Sequence, residues 1–471
     1  MLSTIESVLT KSWYLTDPAA DSGLIDGNPA AGPAETALES PRHGLATRFG
    51  TSLNLILRQG DMFFADGRHR EVNRHEVIGR EHPVFVTSNP AHIKSLMTAD
   101  VADVRSATHQ SPIRPIVGPD SVITAIGERH KQQRELLMPE FHGSAIAHYQ
   151  SAIERSATKH IDSWRVDKLQ PLADIGQAIT LDVIMTAIFG IGDQHQATRA
   201  ELELRKQVIK FLSRSTMPIA PLAQVFNATT DEAIGLTKLV LRPLDKAVYA
   251  VIQERRRNNA TGSDIMSVLL AATRANGDKL SDQEIRDELL ALLLAGHETT
   301  SNTLAWTFER LTRHADEYHR VQDAVRADGE DPLLQAVIYE SMRSRPLVPI
   351  VGRQVMRPWQ IGDDVAETGS VALISILLLH HRDELYPKPF AFQPDRFLNK
   401  RIPPHTFIPF GGGNRRCLGA TLAMAELQIV TREILRRVDL KTHDRPGETP
   451  KHRNVTMIPA NGGIVKARRI H

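Results

Sequence analysis

The chain is poor in cysteine, in aromatics, in long apolar runs and in excess charge of either sign. Its 471 residues include one cysteine, Cys417. A single cysteine excludes an intramolecular disulfide and any zinc site built from a cysteine cluster. Aromatics make up 5% of the chain, and 57 basic residues against 55 acidic ones leave a net charge of +2. That balance lacks the basic footprint of a dedicated nucleic-acid binder, so no nucleic-acid partner is expected. The most apolar run, Leu289 to Gly296, stops at His297 and Glu298, well short of the roughly 20 residues that span a bilayer. The N-terminus carries Glu6 and Lys11 and has neither a basic n-region nor a continuous apolar stretch. A soluble, cytoplasmic protein without a transmembrane anchor is the resulting expectation. What remains is an ordinary globular composition, 41% hydrophobic, which excludes a disordered chain.

Residues 18–42 are rich in Ala, Pro, Gly, Ser and Asp and read as an extended segment. An N-terminal arm over 1–45 and one large domain over 46–471 follow, with no internal repeat. Early β signals are DMFFAD (61–66) and HPVFVTS (82–88). From about Ala91 to Arg345 the periodicity is helical, with long helices expected over 148–165 and 235–258. The stretch 350–379 returns to β character, with a turn near Gly362. Three prolines keep YPKPFAFQPDRF (386–397) from being regular helix. A last helix is expected from about Gly419 to Val438, and RNVTMIPANGGIVKAR (453–468) reads as a hairpin. The fold class is mainly α with a smaller β portion.

The cysteine lies in PFGGGNRRCLGATLAMAEL (409–427). A lone cysteine is usually a small buried hydrophobe, but these neighbours point elsewhere. Gly411, Gly412 and Gly413 form a loop without side-chain bulk, against which a planar body can lie. Cys417 then precedes a helix, whose free N–H groups and positive dipole end favour a thiolate. The pattern F-x-x-G-x-R-x-C-x-G, filled by Phe410, Gly413, Arg415, Cys417 and Gly419, resembles the haem-binding loop of the cytochrome P450 family. That resemblance implies the family's fold, a large haem-enclosing domain, with haem b (iron protoporphyrin IX) ligated through Cys417. It carries Gly411 into the cofactor-binding set.

Three further motifs add to the resemblance. In DPLLQAVIYESMRSRP (331–346), Asp331 is a good N-cap, and Glu340 and Arg343 share a helix face at i and i+3. Taken alone this is an ordinary surface ion pair. The family's E-x-x-R, joined by an Arg before the haem loop, implies a structural triad of Glu340, Arg343 and Arg396. In SDQEIRDELLALLLAGHETTSNTLAWTFERLTRH (281–314), Ser281 and Glu284 form a capping box for a helix running to about His314. Thr299 can bond back to the carbonyl of Ala295 and bend that helix. Polar residues closing a solvent-facing turn would look the same. The resemblance makes A-G-H-E-T-T the oxygen-binding groove, with Glu298 and Thr299 as acid and alcohol and Ala295 beside the cofactor. His297 has no second His at the spacing of a zinc protease. In GERHKQQRELLMPEFHG (127–143), His130 and Arg134 lie at i and i+4 and can donate to one anion, although a solvated basic face reads the same way. The family often has W-x-x-x-R here, contacting a haem propionate, and this chain has His in place of Trp. Arg353 and Arg415 complete a set of four propionate donors by resemblance.

The function implied is a haem-thiolate monooxygenase, placing one atom of O2 in a small apolar organic substrate. Electrons would come from a ferredoxin or flavodoxin with an NAD(P)H reductase; Arg129, Lys131 and Arg416 could form its basic docking patch, although surface solvation reads the same way. Leu292, Ala295, Leu347, Val348, Pro349 and Ile350 would line the substrate pocket. The alternatives are a peroxide-driven hydroxylase or haem-thiolate isomerase, which commonly lack the acid–alcohol pair, and a non-enzymatic haem sensor.

Overall fold

The structure is a computed structural model that describes residues 71–77, 81–111, 113–192, 196–215, 230, 232–259, 262–274, 277–327, 332–442, 447–453 and 455–470. The expected arm over 1–45, the β signal at 61–66 and the N-cap Asp331 lie outside the described residues.

The central element is the helix Asp282–Leu311, 30 residues long, or about 45 Å at 1.5 Å per residue. Its start is the expected capping box. Ser281 Oγ accepts from Glu284 N at 3.2 Å, and Glu284 Oε2 accepts from Ser281 N at 2.9 Å. Most of its positions are buried on every side, as in a helix that runs through a core. Two apolar clusters divide it. Ile285, Leu289, Leu290, Leu292 and Leu293 belong to one, with the helices Gly235–Arg257 and Leu172–Phe189. Leu304, Ala305, Phe308 and Leu311 belong to the other, with the helices Ser144–Asp162, Pro332–Ser344 and Ala420–Arg437. Each fully buried Leu or Phe contributes about 1.5–3 kcal/mol. Neither cluster claims a buried member between 294 and 303, and the polar turn carrying Glu298 and Thr299 sits in that gap.

The helix Leu172–Phe189 has a mean hydropathy of 1.5, enough in length and composition to cross a membrane. The apolar run chosen from sequence, 289–296, is therefore not the strongest such segment. Its apolarity is used internally, since most of the helix is buried in the fold. Gly176 permits the close crossing, because a Cβ there would approach Ser301 Cα to 3.1 Å.

The β portion is small. Strands β1 (Val72–His75), β2 (Val84–Thr87), β3 (Val104–Ser106), β4 (Leu169–Pro171) and β5 (Ile350–Val355) precede the hairpin β6 (Trp359–Ile361) and β7 (Asp364–Ala366). Then come β8 (Val371–Ser375), β9 (Val438–Thr442), β10 (Pro450–Arg453), β11 (Thr456–Pro459) and β12 (Ile464–Ile470). The largest sheet has the order β1-β2-β8-β5-β3, with β2 and β8 parallel. Gly362, at φ +63°, makes the expected turn. The C-terminal hairpin is displaced from the expectation: β11 pairs with β10 rather than with β12. Two left-handed glycines, Gly462 and Gly463, turn the chain so that β12 joins β4 and β9 instead. Gly463 lies so close to the long helix that a Cβ would reach Ala305 O at 2.7 Å.

Candidate functional site

The loop before Cys417 rests on the helix Pro90–Thr98. Gly412 and Gly413 pack on Met97 and leave no room for a Cβ. Gly411, at φ +67°, would point a Cβ into open space. Of the three glycines expected to leave a bare face, one does so and two serve the contact with Met97. Cys417 N donates to Phe410 O at 2.9 Å and closes the loop. The cysteine is solvent-accessible, yet burial pushes its thiol up. Both hold when the sulfur opens into a recess walled by protein. The N–H of Gly419 and the charges of Arg134 and Arg416 pull the other way, with smaller effect. The helix itself begins at Ala420, just past the cysteine.

A second opening lies on the long helix. Ala295 is exposed although Leu289 to Leu293 are all buried. Thr299 Oγ1 donates to Ala295 O at 2.6 Å, the expected back-bond. Glu298, the acid of the expected pair, meets Arg453 Nη1 of β10 through its Oε1 at 3.2 Å. Burial raises the Glu298 carboxyl, and Arg453 opposes that rise. His297 turns toward Leu172–Phe189, its Nδ1 3.0 Å from Thr180 Oγ1, and burial lowers it to about 4. It is a neutral core histidine, and the described residues contain no cluster of His, Cys, Asp or Glu fit to hold a metal.

His130, Arg134, Arg353 and Arg415 form a group of cations and cation donors. Arg415 Nη1 donates to the carbonyls of Val122 and Ile123 at 3.3 Å, and its Nη2 to that of Ala125. Arg134 Nη1 donates to Arg416 O at 2.8 Å, and Arg353 Nη1 to Gly352 O at 3.0 Å. Burial lowers Arg353 to about 10. Burial, then Arg353 and Arg134, lowers Arg415 to about 10. Burial, then Arg415 and Arg134, lowers His130 to about 3. Among the described residues no ion pair joins a carboxylate to any of the four.

The structure brings Glu340, Arg343 and Arg396 together. Arg343 Nε and Nη2 donate to Glu340 Oε2 and Oε1 at 2.7 and 2.8 Å, with both side chains 0% exposed. Arg343 also donates to the carbonyls of His380 and Pro389, each at 2.8 Å. Glu340 Oε1 accepts from Gln393 N at 2.9 Å and lies 3.4 Å from Arg396 Nε. Helix Pro332–Ser344 and the Pro-rich segment before the cysteine loop are thus fastened together.

The sequence profile of the family described as Cytochrome P450 matches residues 68–467. Cytochrome P450 135B1 of Mycobacterium tuberculosis is 33% identical over 424 residues, 88% of each chain. Cytochrome P450 137 of the same organism is 32% identical over 396 residues, 82% of this chain and 80% of the other. The chain belongs to the cytochrome P450 family. Its fold matches that of retinoic acid bound cyanobacterial CYP120A1 with a TM-score of 0.72 at 23% identity, over 89% of this chain and 96% of that one.

As a P450 the protein is an oxidoreductase, a haem-thiolate monooxygenase, and members of the family bind haem b. The residues present fit that group. Four buried or half-buried donors without an internal anion suit the two haem propionates, because buried charge requires a partner. An accessible thiol and the open space at Gly411 suit the iron and the ring.

Sequence reasoning missed the partner of Glu298, since Arg453 is 155 positions away. It also missed Glu288, whose Oε2 accepts from Val122 N at 3.0 Å and steadies the segment that caps Arg415. Arg129 was expected in an open basic patch, but it pairs with Asp120 at 3.3 Å and Glu284 at 2.8 Å. Of the expected pocket residues, Leu292 is 8% exposed and packed in the core, while Val348 and Ile350 are half-buried.

Proposed function

We propose that this P450 inserts one oxygen atom from O2 into a small apolar substrate, by hydroxylation or epoxidation, with Cys417 as the iron ligand. Electrons come from a ferredoxin or flavodoxin with an NAD(P)H reductase, and the protein works in the cytoplasm as one domain over 46–471. Haem, when bound, supplies the activation of O2. The four donors His130, Arg134, Arg353 and Arg415 orient it through its propionates, and Phe410, Gly411 and Gly419 shape its seat. Arg416 and Lys131 are exposed, Lys131 with Glu128 4.0 Å away, and are the cations more open than Arg129 to a redox partner.

The observation that carries the reading is the Thr299 hydroxyl, spent on the Ala295 carbonyl as donor but free as acceptor. To relay a proton it turns its O–H away from that carbonyl, receives a proton from a neighbour and passes its own on. Glu298 supplies that proton through water, since adjacent helix positions do not face one another: burial favours its protonated form, and Arg453 fixes its position. Apolar walls at the half-buried Val348 and Ile350 keep bulk water away.

Thr299→Ala is therefore expected to consume NADPH at a comparable rate, release more hydrogen peroxide and form less product. Thr300→Ala should do much less, because a one-residue step turns the side chain about 100° around the helix. Undiminished product per NADPH in Thr299→Ala removes the relay and favours the peroxide-driven reading. Cys417→His should move the absorption band of the reduced, CO-bound protein to the histidine-haem position. An unmoved band would exclude Cys417 as ligand.

A further inference from the structure

His380 is buried beside the triad and takes no part in the reaction described above. Strand β8 runs into the short helix Ile376–Leu379, where Ser375 Oγ accepts from Leu378 N at 3.2 Å. All four residues of that helix are buried, and they carry His380 into the core with them, 0% exposed. An imidazole so desolvated resists taking a charge. Burial, then Arg343, lowers His380 to about 3, while the carbonyls of Met342 and Arg343 pull the other way. The ring is therefore neutral at neutral pH.

The residue is bonded at both ends. Its carbonyl accepts from Arg343 Nη1 at 2.8 Å, so its backbone belongs to the triad. Its ring Nε2 lies 3.1 Å from Ile408 N. A backbone N–H can only donate, so Nε2 is an acceptor and the ring proton sits on Nδ1. Nδ1 is turned toward the carbonyls of Met342 and Arg343, without reaching a hydrogen bond of normal geometry. Phe407 and Tyr386 flank the ring, with centroids 5.2 and 6.3 Å away, and Tyr386 Oη donates to Thr406 O at 2.9 Å. Ile408 is where the cysteine loop starts. Its carbonyl accepts from Gly411 N at 2.9 Å, and Phe410 O accepts from Cys417 N at 2.9 Å. A continuous path of bonds thus runs from Glu340 and Arg343, through both ends of His380, to the loop that carries the cysteine.

We propose that His380 is a positioning residue: its ring Nε2, by accepting from Ile408 N, ties the triad to the cysteine loop and holds the Cys417 sulfur where it meets the haem iron. A leucine would fill much of the same space, but only an acceptor satisfies the Ile408 N–H. The ring's hydrogen-bonding chemistry, more than its bulk, is what the position requires. The effect on the sulfur rests on Cys417 acting as the iron ligand, as proposed above, whereas the ring tautomer and the tie to Ile408 do not.

The test uses the full-length, haem-loaded protein in its reduced, CO-bound state, with two variants. His380→Gln keeps an acceptor for Ile408 N, because an amide oxygen can take the place of Nε2. His380→Leu keeps bulk and removes the acceptor. In His380→Leu, hydrogen exchange of the amides over 406–411 should quicken about tenfold, and the band of cysteine-ligated haem should fade about tenfold faster on warming, the weight of one lost buried hydrogen bond. His380→Gln should stay near the wild type in both. Nitrogen-15 spectra of histidine-labelled protein, assigned by the signal missing from His380→Gln, should show a neutral ring protonated on Nδ1, even below the ordinary histidine pKa of about 6.5. A ring protonated on Nε2 overturns the proposal, even if His380→Leu fails to fold. An unchanged exchange or fading rate in His380→Leu also overturns it, as does a His380→Gln that loosens the loop as much as His380→Leu. If Cys417→His leaves the band unmoved while tautomer and exchange come out as expected, the ligand reading fails and the tie to Ile408 stands.

Discussion

Two arginine clusters bracket the Cys417 loop. In the triad, Arg343 meets Glu340 through two bonds of 2.7 and 2.8 Å, and backbone carbonyls take its remaining donors. In the proposed propionate cluster, Arg353 and Arg415 are also buried or half-buried, but they find only carbonyls and one another. The first cluster carries its own anion and is finished when the chain folds. The second has a surplus of positive charge that the described part of the chain does not neutralise. A desolvated cation without a counterion is unfavourable, which supports the proposed reading of this cluster as a ligand site and of the triad as a structural joint.

The largest expected effect separates the two most sharply. Arg343→Ala or Glu340→Gln leaves one buried partner uncompensated, a loss of about 3–5 kcal/mol. A typical domain has about 5–15 kcal/mol in all. These variants should give insoluble or haem-free protein, as judged by solubility and by haem absorbance per chain. A soluble variant with normal haem content would place the triad on a par with a surface pair.

Arg353→Leu should act with opposite signs in the two states of the protein. Without haem, it removes a buried charge that lacks a counterion, so the apoprotein should melt higher, by about 1 kcal/mol or more of stability. With haem, it removes a charge-assisted bond of about 1.5–3 kcal/mol, so haem should leave about tenfold faster or more. Melting of the apoprotein and transfer of haem to an acceptor protein check the two halves. If the apoprotein is destabilised, Arg353 belongs with the triad and the comparison collapses.

These contrasts also mark what could be read from the sequence. Glu340 and Arg343 were legible because three residues on one helix fix their proximity. The Ser281–Glu284 box and the Thr299–Ala295 bond were legible for the same reason, being local. Arg396 came only through the family resemblance, since nothing local ties it to Glu340. The pairing of β12 with β9 rather than β11 was not legible. A two-glycine turn allows either course, and the close pass of Gly463 over Ala305 is a tertiary fact. Gly412 and Gly413 had the right identity and a different reason, contact with Met97. Arg129 looked free because its partners Asp120 and Glu284 come from separate segments.

The pair Glu298–Arg453 stands between the two clusters and should give the smallest effect. It has one contact, at 3.2 Å, and each side chain is 26% exposed. A pair that open to water is worth about 0–1 kcal/mol, so Arg453→Gln should fold, bind haem and melt within a few degrees of the wild type. Its consequence lies in proton chemistry. Burial raises the Glu298 carboxyl and Arg453 restrains the rise. Removing the guanidinium removes the restraint, so Glu298 keeps its proton to higher pH. If Glu298 supplies the proton that Thr299 passes on, the alkaline limb of product per NADPH should move to higher pH in Arg453→Gln. Glu298→Gln, which has no titrating carboxyl, should flatten that limb. A profile of product per NADPH across pH for the three proteins checks both. An unmoved limb would make the Arg453 pair a hairpin anchor of the triad's kind, weaker only because water reaches it.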